Sequence, residues 1–279
     1  MSIIEAISLR RSVRSYDGRS LSEDHSGMLR AYISSLKAPF GVDARIMMIR
    51  AGDGKERVKY GTYGSTGGAG DFLVLAYRDG TLAGEGAAYI FEQAVLYCTS
   101  IGLGTCWLGG SFNRKDFKGG VDLEPGEKVR IVSPVGYAAG RKRLWDVFIN
   151  ADGHHRSRKP FDRIFFDHDF ATPLTPGAAG PYREPLEMIR MAPSANNFQP
   201  WRVVKDEDAL HFYHKKMIGG FDDIDMGIAL CHFGESCREL GIAGAFKPLP
   251  QAPPTKDATY SISWQARPVF TEIQSGSRS

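Results

Sequence analysis

The chain has 279 residues, enough to bury roughly 70–75% of its unfolded surface without help from disulfides or a metal. Its hydrophobic share of 42% and charged share of 24% exclude a wholly disordered or fibrous chain. A formal net charge of +3 is too balanced for a protein whose main task is gripping nucleic acid.

No run approaches ~18 uninterrupted apolar residues, so no membrane-spanning helix is expected. The opening Met1-Ser2-Ile3-Ile4-Glu5 lacks the basic-then-apolar order of a secretory signal. Cys98, Cys106, Cys231 and Cys237 show no CxxC spacing and read as buried thiols in a reducing compartment. The expectation is a cytoplasmic protein.

The predicted elements begin with a helix over 2–12, where Ile3, Ile4, Ile7 and Leu9 form an apolar stripe. A second helix starts at Ser22, a simple N-cap with His25 rather than an acid three residues on, and ends before Pro39. Arg45 to Arg50 is a short strand. The Gly-rich stretch 61–70 precedes a buried strand, Phe72 to Tyr77. A long helix over 84–101, rich in small and apolar residues, suits burial on several sides and stops at Gly102. Val129 to Tyr137 is another strand.

Residues 171–182 hold prolines and glycines in the density of a linker. Beyond it the pattern restarts, with a short helix over Glu184 to Met191 and strands at Arg202 to Val204 and Leu210 to Tyr213. A long helix over 225–240 ends at Gly241, and the tail from Gln274 reads as disordered. A shift of 139 residues lays Gly102 on Gly241 and Trp107 on Phe246, and Ala38-Pro39 faces Ala192-Pro193. These correspondences point to an internal duplication. They give a first half over 1–170, a linker over 171–182, a second, degenerate half over 183–273 and a tail over 274–279.

Four segments could carry chemistry. Arg10-Arg11-Ser12-Val13-Arg14 places three guanidiniums and a hydroxyl where they can fork onto a phosphate or a pyrimidine edge, or simply be a solvated helix end. Ala192 to Trp201 sets Ser194 and Asn197 between Pro193 and Pro200, a stiff loop able to face a flat polar ligand or make an ordinary turn. In Gly102 to Gly110 the glycines let backbone N–H groups approach a ligand, or close a tight turn around a core Trp107. Arg141-Lys142-Arg143 and Arg156-Ser157-Arg158-Lys159-Pro160 are basic clusters that could complete a phosphate site or face solvent. The stretch Gly64 to Gly70 precedes its strand, the wrong order for a dinucleotide fingerprint. His154-His155 and Asp167-His168-Asp169 match no standard metal spacing, so no metal is expected.

Together these segments resemble the FMN-dependent nitroreductase family, which combines an RRSxR segment, an APSxxNxQPW loop, a long helix ending in GLGTCWLGG and a late R-K-P. The order here differs. Where the family's loop would follow the first helices, the chain reads Ala38-Pro39-Phe40-Gly41-Val42, and the intact loop stands in the second half. The second half in turn lacks RRS and R-K-P, and its Gly-rich turn is reduced to Gly241-Ile242-Ala243-Gly244-Ala245. Family members are homodimers with FMN at the interface, one subunit supplying RRS and the Gly-rich turn, the other the loop. The complementary losses resemble an internally duplicated subgroup typified by a thermophilic bacterial protein.

The resemblance implies an α+β fold of three layers, α/β/α, nitroreductase-like, with two half-repeats forming a single-chain pseudo-dimer. It implies one FMN per chain and NAD(P)H as a transient donor. Arg10, Arg11 and Ser12 would hold the phosphate and ribityl chain, with Arg14 at the pyrimidine. Leu108 and Gly109 would bring backbone near the flavin N5, and Pro193, Ser194 and Asn197 would line the ring. Arg158 and Arg156 would reach the phosphate, with Arg141 and Arg143 as the lower-ranked choice. The implied activity is ping-pong hydride transfer through FMN to a small flat acceptor such as a nitroaromatic or quinone, with no side-chain acid or base. A non-catalytic FMN carrier or sensor is the alternative. Partners would be small molecules, without nucleic acid or membrane, and the pseudo-dimer would be monomeric.

Overall fold

A computed structural model describes residues 1–50, 60–140 and 157–267. Arg141, Arg143, Arg156 and the tail from Gln274 lie outside the described residues.

The first helix, α1 (Ile3–Leu9), is set by a capping box in which Ser2 Oγ accepts from Glu5 N–H and Glu5 accepts from Ser2 N–H. Helix α2 (Glu23–Ser35) begins at Ser22, whose Oγ accepts from His25 N–H at 3.2 Å, and ends ahead of Pro39. Strands β1 (Ala44–Arg50) and β2 (Asp71–Tyr77) follow, then helix α3 (Ala83–Ser100), the two-residue strand β3 (Gly104–Thr105), helix α4 (Arg114–Gly119) and strand β4 (Lys128–Gly136). After β5 (Phe165–Asp167) come helix α5 (Arg183–Met191), strands β6 (Trp201–Asp206) and β7 (Ala209–His214), helix α6 (Asp222–Glu239), and strands β8 (Gly244–Lys247) and β9 (Thr259–Ala266).

One sheet has the order β1-β2-β4-β3, with antiparallel neighbours throughout. The other runs β5-β6-β7-β9-β8, and without β5 it repeats the first sheet's order and directions. The two long helices are each 18 residues, and the shift of 139 that lays Gly102 on Gly241 also aligns their ends. Their C-terminal turns match bond for bond. Leu103 N–H donates to Cys98 O and Ile242 N–H to Cys237 O, both at 2.8 Å, across Gly102 and Gly241 at φ 80° and 68°. The duplicated topology is thus present in the backbone.

Helices α3 and α6 pack against each other at the centre, each backed by its own sheet. Alternation along β2 turns Leu73, Leu75 and Tyr77 toward the helices and Phe72 and Val74 to the outer face, where Phe112 and Phe117 cover them. Close helix contact requires small residues. A Cβ on Gly227 of α6 would lie 2.3 Å from Glu85 O of α3. All four cysteines are buried thiols.

Four strands, β3, β5, β8 and β9, lay outside the predicted pattern, as did helix α4. Strand β3 is too short to show a period, and β5 is a three-residue parallel addition to β6. Strand β9 is buried at its centre through Ser261, Ile262, Ser263 and Trp264, so small polar residues interrupt the apolar run that marks a core strand. The chain thus leaves the first sheet, adds β5 to the second, and packs Leu174, Ala179 and Tyr182 of the Pro/Gly-rich stretch into the core. No helix among the described residues is long and apolar enough to cross a membrane.

Candidate functional site

The segment after α1 is extended and strapped on both sides. Val13 N–H donates to Thr105 O at 2.8 Å, while Gly67 N–H donates to Arg14 O and Tyr16 N–H to Gly67 O, each at 2.9 Å. Both neighbours come so near that a Cβ does not fit. On Gly104 it would stand 2.7 Å from the Val13 side chain, and on Gly68 2.3 Å from Tyr16 O. The Gly-rich stretch before β2, read from sequence only as a failed dinucleotide motif, therefore seats the arginine segment.

The loop from Ala192 to Trp201 folds back on itself. Asn196, Asn197 and Gln199 adopt φ of 49°, 56° and 49°, the left-handed region that asparagine tolerates better than most side chains. Asn197 N–H donates to Ser194 O at 3.0 Å and Gln199 N–H to Ser194 Oγ at 2.9 Å. Ala195 N–H donates to the carboxyl of Asp225 at 2.9 and 3.1 Å. Burial pushes Asp225 up to about 8, helped by neighbouring Asp222 and Asp223 and opposed by the Ala195 bond.

Residues 157–159 clamp this loop. Arg158 Nη1 donates to Asn197 Oδ1 at 3.1 Å, Asn197 Nδ2 to Ser157 O at 3.0 Å, and Lys159 N–H to Gln199 Oε1 at 2.8 Å. Lys159 Nζ donates to Phe198 O at 2.5 Å, and burial with the charges of Arg202 and Lys215 brings its pKa down to about 8. Arg158 Nη2 reaches Met191 O at the end of α5 at 3.2 Å.

Arg158 and Arg10, from the end and the start of the first half, lie near each other. Burial, then the charges of Arg10 and Arg190, pushes Arg158 below the ordinary guanidinium pKa. Arg10 is lowered by burial against the raising influence of Glu92 and Cys106, with Arg14 lowering it further. Among the described residues no carboxylate pairs with Arg158, and Glu92 stands 4.0 Å from Arg10 Nε. The Nε atoms of both arginines are buried without a hydrogen-bond partner among the described residues. Two nearby part-buried cations, each with a buried Nε lacking a partner among the described residues, form an arrangement suited to an anion.

The Gly-rich turn after α3 closes a further side. Trp107 Nε1 donates to Glu92 Oε2 at 2.8 Å, fixing the indole at the foot of the turn. Leu108 N–H donates to Val132 O at 2.9 Å, so that amide belongs to the sheet. Gly109 N–H makes no hydrogen bond among the described residues and remains available. Its Cα lies under the Phe221 ring from the second half, which a Cβ would meet at 2.6 Å.

The structure thus brings Arg10, Arg158 and Asn197 together, with Ser194 serving the loop's own hydrogen bonds. Arg11 and Ser12 are exposed, Arg14 and Pro193 are half-buried, and Ser12 bridges Thr105. Arg156 lies outside the described residues. Sequence reasoning missed Glu92, His232 and Gln199. For Glu92 and His232 the available signal was an ionisable side chain within the mostly apolar, buried middle of each long helix.

A family model described as "Putative TM nitroreductase" matches residues 2–236. A comparison with curated proteins finds no match. Among solved structures, a "putative nitroreductase" from Thermotoga maritima is 20% identical with a TM-score of 0.60, over 96% of this chain and 95% of that one. A nitroreductase with bound FMN from Bacteroides fragilis is 20% identical with a TM-score of 0.40, over 52% of this chain and 92% of that one. A nitroreductase family protein from Clostridium difficile is 17% identical with a TM-score of 0.41, over 54% and 92%. With its arginine segment, loop and Gly-rich turn inside the span of that family model, the chain belongs to the nitroreductase family.

Proposed function

We infer that the protein is an FMN-dependent oxidoreductase whose single flavin site is assembled from both halves of one chain. The observation that carries this reading is the pair of part-buried, carboxylate-poor guanidiniums, Arg10 and Arg158, the latter tied to Asn197 of the second-half loop at 3.1 Å. A phosphate monoester supplies the acceptor oxygens that their Nε groups lack. When bound, FMN would take hydride from NAD(P)H and pass it to a flat acceptor such as a nitroaromatic or quinone, in alternation.

The chain's own residues would bind and orient. Arg10 and Arg158 would hold the phosphate, with Arg11 and Ser12 at the ribityl chain and Arg14 at the pyrimidine edge, where a cation favours added negative charge. Pro193, Ser194 and Asn197 would line the ring from the second half. Gly109 N–H would offer the backbone donor near N5. No side-chain acid or base is assigned.

One site per chain is supported by the repeat. Phe40 stands at the position that the duplication pairs with Ser194, and its ring packs edge-on against Tyr89 and Phe246 at 6.4 and 5.8 Å. An aromatic plug replaces the polar loop there.

Anaerobic addition of NADH or NADPH to the FMN-loaded chain tests the reading. Bleaching of the flavin absorption supports the oxidoreductase. A flavin that binds but never bleaches with either nucleotide points instead to a carrier or sensor.

A further inference from the structure

His232 lies on α6 and is fully buried, between two acceptors. Its Nδ1 faces Met188 O at 2.8 Å and its Nε2 faces Glu92 Oε1 at 2.9 Å. A carbonyl can only accept, so Nδ1 carries a proton. Nε2 against a carboxylate needs a second proton between them, since two lone pairs would repel. Whether that proton sits on the imidazole or the carboxyl, the pair is neutral as a unit. Glu92 therefore does not cancel Arg10, although it is the acid next to it at 4.0 Å.

We propose that His232 is a positioning residue that neutralises Glu92 and so keeps Arg10 and Arg158 both uncompensated, giving the site its preference for a dianionic phosphate monoester. The proposal rests on the FMN reading and adds to it the origin of phosphate selectivity.

Two observations support it. The same turns of α5 hold both ends of the arrangement, since Met188 O accepts from His232 and Met191 O accepts from Arg158. The Glu92–His232 pair is also confined to one side of the duplication. The shift of 139 places Cys231 opposite Glu92 and Gln93 opposite His232, so the counterpart positions, on the side where Phe40 replaces Ser194, hold no acid and no imidazole. A pair needed only to join α3 to α6 would have no reason to be one-sided. That second joint is instead made by Glu235, which accepts from Tyr89 at 3.1 Å and Gln93 at 2.9 Å.

The test compares affinity for FMN with affinity for riboflavin, which lacks only the phosphate, by quenching of flavin fluorescence. His232→Gln leaves Glu92 charged and free to compete for Arg10, so the preference for FMN over riboflavin falls by more than about fivefold. Adding Glu92→Gln to His232→Gln removes the stranded charge and returns the preference to within about fivefold of the parent. Glu92→Gln alone also stays within about fivefold, because the neutral pair becomes another neutral pair. If Glu92 were instead a charged partner that already compensates Arg10, Glu92→Gln would raise the preference for FMN by more than about fivefold, and that result overturns the proposal. So does retention of the preference in folded His232→Gln. Should His232→Gln not fold, Glu92→Gln decides alone. A parent chain that binds FMN no better than riboflavin removes the FMN reading itself, before any variant is made.

Discussion

Arg158 Nη1 donates to Asn197 Oδ1 at 3.1 Å, joining the segment that leaves the first half to the loop that opens the second. The same Asn197 sits at φ 56° in a loop closed by Ser194, so the contact depends on a backbone shape as well as on a side chain. Most of what the site can do follows from that joint, because it brings one half's cations to the other half's polar loop.

Ser194→Ala combined with Asn197→Ala should weaken FMN binding although both residues belong to the second half. Losing a hydrogen bond to a charged partner costs ~1.5–3 kcal/mol, or about tenfold or more in Kd. Fluorescence titration measures it, with circular dichroism confirming the fold. Full flavin occupancy in the double variant would show that the site does not cross between halves.

The purified chain saturated with FMN should hold one flavin per chain by absorbance. Two tightly bound flavins would mean that the Phe40 cluster opens and that the second half retains a working site. Phe40→Ser alone should not create that site, since the arginine segment has no counterpart in the second half.

Gly104→Ala forces a methyl to within 2.7 Å of Val13. The expected cost is ~1–3 kcal/mol of stability, as for overpacked positions. Displacement of Arg10 to Arg14 should also weaken FMN binding. Thermal unfolding and flavin titration of the same sample check both, and a variant with unchanged Tm and Kd would show that the strap is soft.

Asp225 is raised from 3.8 to about 8 by burial. A carboxyl raised on folding contributes stability fully below its unfolded pKa and loses it as pH climbs to the folded value. Apparent Tm should therefore fall between about pH 4 and pH 8 through this group. Asp225→Asn keeps an acceptor for Ala195 N–H and should flatten that part of the profile. A loss of ~1 kcal/mol would appear as roughly 2–4 °C. An unchanged slope in Asp225→Asn would assign the pH dependence to other groups.

Much of the fold is legible in local pattern. The apolar stripe of α1, the Ser22 cap, the buried run Phe72 to Tyr77 and the Gly stops of α3 and α6 are short-range signals, set by side-chain period, capping and φ preference. The 139-residue repeat is legible for the same reason, because matching helices end in matching turns. Strands β3, β5, β8 and β9 were not, since each is defined by its partner more than by its own composition.

The motif residues Arg10, Arg158, Ser194 and Asn197 could be singled out along the chain through their resemblance to the family's RRSxR, R-K-P and APSxxNxQPW segments. Their company could not. The Glu92–His232 pair bridges 140 positions, Leu108 yields its amide to Val132, and Gly67 turns out to be the seat of the arginine segment. Each of these depends on which surfaces meet when α3 packs on α6 and the strands find their register. Local pattern encodes propensity and charge. The cancellation of one buried charge by another depends on distances of a few ångströms between remote segments, and these exist only once the chain is folded.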